Sequence, residues 1–264
     1  MRHLLAVIVL VAMIAGCVSV ATAPRDVVTQ MAPSGTLRAA INYGNPILAA
    51  RNAASGELSG VSVDLARELG KRLGVPVELV PFASAGRTVE AGKGGAWDIA
   101  FFAIDPLRGA DSDYSAPYVV IEGAYMVRQD SPIRANGEVD KPGIRVAVGR
   151  GSAYDLFLTR ELKAATLIRS PTSQEVTDMF LRDKLEVAAG VKQQLEMDAK
   201  RVSGVRLLEG RFMVINQAMG MPKGRPAGLA YLRAFVEEMK ASGFVAAALA
   251  RHRIEGAAVA PAGP

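Results

Sequence analysis

Histidine is almost missing from this 264-residue chain: His3 stands at the extreme N-terminus and His252 near the C-terminus. That excludes histidine-dependent nucleophile triads and histidine-rich zinc sites. Cys17 is the single cysteine, so no intramolecular disulfide can form. One turn stands out, Gly149-Arg150-Gly151, set between a strand-like and a helix-like segment. The third glycine of a dinucleotide fingerprint would fall on Tyr154, and no P-loop lysine follows, so nucleotide binding is a weak reading. The turn reads as a helix start, with Ser152 and Asp155 at capping-box spacing. Free backbone N–H groups and the positive end of the helix dipole would face an anion placed above it. Ser152 as a plain N-cap is the alternative reading.

The bulk numbers set the context. Half the residues are apolar, enough for a substantial core, and the length suits one large domain or two modest ones. The formal charge is +5 and the pI about 9.4. The basic residues are scattered among acids, without like-charge runs or aromatic interleaving, so they read as a solvated surface and not as a nucleic-acid footprint. The N-terminus has the three parts of a secretory signal: basic Met1-Arg2-His3, an apolar run over Leu4 to Ala15, then Gly16-Cys17. The run is too short to span a bilayer, which takes roughly 20 residues. Ile14-Ala15-Gly16-Cys17 resembles the bacterial lipobox, in which the cysteine is acylated and becomes the first mature residue. An ordinary signal cut after Ala23 is the alternative. No later apolar run reaches membrane-spanning length.

Residues 17–34 show little periodicity and read as a tether, and residues 256–264 read as a disordered tail. Between them strand and helix patterns alternate. Strand-like segments are Thr36 to Ile41, Val75 to Val80, Asp98 to Ile104, Ala124 to Arg128, Ile144 to Val148, Glu186 to Val191, Val205 to Leu208 and Phe212 to Met219. Helical spacing puts Leu65, Leu69 and Leu73 on one face before Gly74, and Leu232, Phe235, Val236 and Met239 on another before Ser242-Gly243. Thr172 and Glu175 have capping-box spacing ahead of Val176. The alternation predicts an α/β fold with mainly parallel sheets. No internal repeat is evident.

The order of these pieces over Gly35 to His252 resembles the family 3 bacterial extracellular solute-binding proteins, of the polar-amino-acid-binding type. Gly56-Glu57-Leu58-Ser59-Gly60-Val61-Ser62-Val63-Asp64-Leu65-Ala66 is similar to the family's entry to its first helix. Ile104-Asp105-Pro106-Leu107-Arg108, followed by Asp113-Tyr114-Ser115-Ala116-Pro117-Tyr118, is similar to its "I-T-P-x-R … D-F-S-x-P-Y". Val146 to Ala153 resembles its second-lobe strand and turn. The resemblance implies a two-lobed, type II periplasmic binding protein fold. Each lobe would be a mainly parallel sheet flanked by helices, with the ligand cleft between lobes. It places the first lobe at 35–127 plus 218–255 and the second at 128–217. The hinge would lie near Met126-Val127-Arg128 and near Gln217-Ala218-Met219. It also implies an ABC importer, with permease subunits as partners, a monomer and no cofactor.

The same resemblance makes Arg108 the residue that holds a ligand carboxylate, through the planar fork of its guanidinium. Ser152 and Gly151 would meet the ligand from the other lobe. The departures shape the ligand prediction. The slot where family members place an aspartate against an α-ammonium falls on Val191, and an apolar side chain cannot neutralise a charge. The usual hydroxyl falls on Ala103. The usual aromatic falls near Ala85, with Phe82 close by, and Tyr43 or Asn45 is a further candidate. Lys192 could serve a second anionic group. The expected ligand is therefore a small organic acid or an amino-acid-like solute. Two alternatives stay open. One is a cyclohexadienyl-dehydratase-like enzyme, for which Asp105 and Glu122 are the nearest acids. The other is a ligand-degenerate accessory subunit.

Overall fold

A computed structural model describes residues 23–263. The predicted signal segment 1–16, the lipidation candidate Cys17 and the first part of the tether lie outside the described residues. Helix α1 (Arg25–Met31) precedes strand β1 (Leu37–Asn42). A small hairpin, β2 (Ala50–Arg51) and β3 (Leu58–Ser59), leads into α2 (Val61–Leu73). There follow β4 (Val77–Phe82), α3 (Ala85–Lys93), β5 (Ile99–Ala103) and the long β6 (Ser112–Arg128). The next stretch holds β7 (Arg145–Gly149), α4 (Ala153–Glu161), β8 (Thr166–Ser170), α5 (Val176–Arg182), β9 (Val187–Val191), α6 (Lys192–Arg201) and β10 (Val205–Leu207). The chain then returns along β11 (Met213–Pro222) into α7 (Pro226–Ala241), α8 (Phe244–Arg251) and β12 (Ala258–Val259).

The strands form one continuous path, β4-β1-β5-β11-β6-β9-β7-β8. Pairing is parallel in each outer portion, where β1 joins β4 and β5, and β7 joins β8 and β9. It is antiparallel along the two long strands that connect the portions. The result is a two-lobed α/β molecule strung on β6 and β11. Strand β5 is buried at all five positions, as its unbroken apolar run requires between helical layers. Helix α2 buries Leu65, Leu69 and Leu73 on one face and stops at Gly74, whose φ of 69° lies in the left-handed region.

Four expectations are corrected. Residues 25–31 are not tether: Val27 and Met31 share one face of α1 and are buried. Gln30 ties that helix to the start of α7 by accepting from the Gly228 N–H at 2.9 Å. Two helical turns are too short to show a clear period. The tail is not disordered: β12 pairs with Val119 and Val120 of β6, and the Ala260 N–H donates to the Tyr118 carbonyl. Backbone pairing of this kind leaves little trace in composition. Thr172 and Glu175 do not cap α5; Glu175 is itself the N-cap residue, and Thr172 bonds its carboxylate instead. Met126 to Arg128 lie well inside the second lobe, paired with β9 and β10. The β6–β11 ladder instead shifts register between Gln217 and Ala218 and again before Gly220, opposite Pro117 and Val119. There the Met219 N–H is satisfied by the Ser115 hydroxyl at 3.1 Å.

Candidate functional site

The C-terminal ends of β1, β5, β7 and β9 all open on one cleft between the lobes, where loops bring polar groups together without breaking the sheets. Counting its open mouth, the cleft encloses about 570 Å³ of atom-free space. Arg108 enters from the first lobe. After β5 the chain turns over Asp105, whose carboxylate accepts from the Leu107 N–H at 2.9 Å, into a short 3-10 turn that begins at Arg108. The guanidinium folds back into the cleft. Nη1 donates to the Ala103 carbonyl at 3.0 Å, and Nη2 crosses to the Gly151 carbonyl of the second lobe at 2.8 Å. Its carbon stands 5.8 Å from the centre of the Phe102 ring.

Arg108 is 3 % exposed, yet among the described residues it makes no ion pair. Asp105 stands three residues before it, but that carboxylate is held by Arg160 of the second lobe at 3.0 Å. Burial lowers the pKa of Arg108, and the fields of Tyr114 and Asp105 oppose the shift. A buried cation facing a cavity with only carbonyl partners is energetically incomplete and favours an anion beside it.

The second lobe supplies the start of α4. The Ser152 hydroxyl accepts from the Asp155 N–H at 3.0 Å, and the Asp155 carboxylate accepts from the Gly151 N–H at 2.8 Å, one residue before the position a capping box would use. Gly151 has a φ of 68°, and a Cβ there would lie 2.8 Å from the Gly86 Cα of the facing lobe. Glycine therefore permits this backbone approach. With the Gln174 amide donating to the Tyr43 carbonyl at 3.2 Å, the lobes are drawn together around the cleft.

Arg108, Ser152, Ala103 and Val191 line the cleft together, and Gly151 touches it through Arg108. Two predicted residues do not. Tyr43 faces a neighbouring groove beside Arg51, and Phe82 packs with Trp97 and Phe102 beneath β5. Lys192 is bonded to Glu122, which also holds Arg211. Sequence reasoning missed Asn42, Phe102, Gln194 and Gln217 as lining residues. Gln217 left a usable signal: with Asn216 it interrupts a mostly apolar strand, and it is 5 % exposed.

Residues 37–253 match the family model for bacterial extracellular solute-binding proteins, family 3. The chain belongs to this family. Solved structures with the same fold include an ancestral amino acid-binding protein described as a precursor of cyclohexadienyl dehydratase. It is 23 % identical with a TM-score of 0.72, over 85 % of this chain and 98 % of that one. A putative ABC-transporter binding component from Wolinella succinogenes, solved with lysine, is 22 % identical with a TM-score of 0.71, over 82 % and 95 %. A solute receptor for L-cysteine from Neisseria gonorrhoeae is 22 % identical with a TM-score of 0.75, over 87 % and 94 %. At these identities the likeness establishes the type II periplasmic binding protein fold for this family member. No curated protein matches the chain. Among the described residues, no helix is long and apolar enough to cross a membrane.

Proposed function

We propose that this family 3 protein is the solute-capturing component of an ABC importer, and that it closes its two lobes on a small carboxylate-bearing solute. The observation that carries the reading is the buried Arg108 guanidinium, aimed into an interlobe cleft with no acid paired to it. A carboxylate there would take the fork's remaining N–H groups and satisfy the charge. Because Arg108 already reaches the second lobe through the Gly151 carbonyl, a bound anion would sit where both lobes contribute and would favour closure. We place the hinge at the β6–β11 register shifts. The lipobox-like Cys17 would tether the protein to the outer face of a membrane, beside its permease.

Capture without turnover is the reading favoured over an enzyme. Acid catalysis needs a free positioned acid. Asp105 is occupied by Arg160, and Glu122 by Lys192 and Arg211. Calorimetric titration of the purified protein with small mono- and dicarboxylates and with amino acids tests the proposal. Saturable one-to-one binding is expected, weakened at least ~100-fold in Arg108→Ala, since a charge-assisted bidentate contact is lost. Binding that is unchanged in that variant would remove the basis of the reading. Incorporation of labelled palmitate, abolished in Cys17→Ser, tests the anchor.

A further inference from the structure

Asp105, Asp155 and Glu122, three acids close to the cleft, are engaged elsewhere, while several of its donors are free. Among the described residues, no aspartate or glutamate lines the cavity. Asp105 is taken by Arg160, Asp155 by the Gly151 N–H and Arg169, and Glu122 by two cations. At the floor of the second lobe stands Val191, 8 % exposed, next to Gly190. An ammonium placed here would lose its water and meet no anion, which is costly.

The donors are arranged by the local fold. The Asn42 side-chain oxygen accepts from the Gly44 N–H at 3.0 Å, and that of Asn45 accepts from the Ile47 N–H at 3.3 Å. Only the oxygen of an amide can accept from N–H, so both turns fix which end of the side chain is used and leave both NH₂ groups as donors. Both residues line the cleft. At the start of α4 the Ala153 and Tyr154 N–H groups, which also border it, have no backbone or side-chain acceptor among the described residues. The guanidinium of Arg108 adds donors and no acceptor. The cleft thus offers N–H groups on several sides, the adaptable hydroxyl and amide groups of Ser173, Gln194 and Gln217, one positive charge, and no negative charge.

Resting on the carboxylate reading of Arg108, we propose that the solute is an organic acid without an ammonium group, whose other polar atoms are hydrogen-bond acceptors. A 2-oxo acid is the simplest case, and Val191 is the residue that sets the preference. The test uses pairs that share a carbon skeleton and differ only in a keto oxygen or an ammonium: pyruvate with alanine, 2-oxoglutarate with glutamate, and 4-methyl-2-oxopentanoate with leucine. Calorimetry is expected to find at least one oxo acid binding saturably and at least ~10-fold tighter than its amino acid. Val191→Asp should reverse the preference within that pair, while Val191→Asn should not. Aspartate is a favoured residue at a helix N-cap, the place Val191 holds before α6, so this variant should fold. Tighter binding of the amino acid by the unaltered protein would overturn this inference and leave the carboxylate reading in place. If no member of any pair binds, both fall.

Discussion

Arg38 in the first lobe and Arg145 in the second occupy equivalent places. Each stands at the start of a strand, second in β1 or first in β7, and grips a carboxylate just ahead of that strand's parallel neighbour, β5 or β9. The Arg38 backbone N–H, Nε and Nη2 donate to Asp98 at 3.1, 3.0 and 2.9 Å, and Nη1 donates to the Gly95 carbonyl at 2.7 Å. The Arg145 backbone N–H, Nε and Nη2 donate to Glu186 at 2.8, 2.9 and 2.8 Å, and Nη2 also donates to the Lys184 carbonyl at 2.6 Å. Both forks fasten the sheet at the end away from the cleft. They differ in their surroundings. The Asp98 side chain is fully buried and receives a second cation, Arg225, at 3.4 Å. The Glu186 side chain is 32 % exposed and has Arg145 alone. The first lobe also gathers both ends of the described segment, through α1, α7, α8 and β12. Its carboxylate is buried beside α1 and the start of α7, whereas water competes for the second. One bonding pattern should therefore contribute very differently to stability in the two lobes.

The largest effect should come from Asp98→Ala. It leaves two guanidinium groups without their shared buried carboxylate. Arg38 and Arg225 keep some access to water, so the loss should lie near ~3 kcal/mol, the low edge for a broken buried pair. Thermal unfolding would register that as a fall in Tm of roughly 6–12 °C for a chain of this size. A fall of a degree or less would put this fork in the class of surface pairs and erase the contrast.

Glu186→Gln should cost clearly less at neutral pH, and its effect should depend on acidity. The Arg145 guanidinium holds the Glu186 carboxyl below the usual carboxylate range. A folded-state pKa that is depressed adds stability above the unfolded value, near 4.3 for glutamate, and the gain disappears as pH falls through the folded value. Urea midpoints of the unaltered protein and of Glu186→Gln should therefore differ at pH 7 and converge toward pH 3. A gap that persists in acid would mean that packing, not the charge, is what the glutamate supplies.

How much of this was legible in the sequence follows from the range of each signal. Strand β5 was readable because burial on both faces imposes a continuous apolar run, and α2 because its leucines repeat for three turns. Arg108 was readable because a local turn fixes it, and the same residues that make the turn make the motif. Tyr43 and Phe82 were misplaced for the opposite reason: a motif sets where the backbone goes, but not which neighbour's side chain turns inward. The paired forks were invisible as a repeat. Arg38-Ala39-Ala40 and Arg145-Val146-Ala147 are too short to align, and their partners lie 60 and 41 residues away. Such contacts are fixed by topology, and only the folded sheet brings them together.

The smallest effect separates two explanations of the contrast, burial of Asp98 and its extra cation. Arg225 donates to the Gln30 carbonyl at 2.9 Å and reaches Asp98 only at 3.4 Å, with its side chain 23 % exposed. Arg225→Ala leaves the Arg38 fork whole, and Gln30 still accepts from the Gly228 N–H. The loss should be about 1 kcal/mol or less, mostly the single bond to Gln30. A double-mutant cycle joining Arg225→Ala with Asp98→Ala isolates the remainder. If burial accounts for the difference between the lobes, the coupling should be about 0.5 kcal/mol or less, as expected for a long contact that water can reach. A coupling well above ~1 kcal/mol would assign the difference to the second cation instead. In that case Glu186 would be the weaker anchor because it lacks a second arginine, not because it is wet.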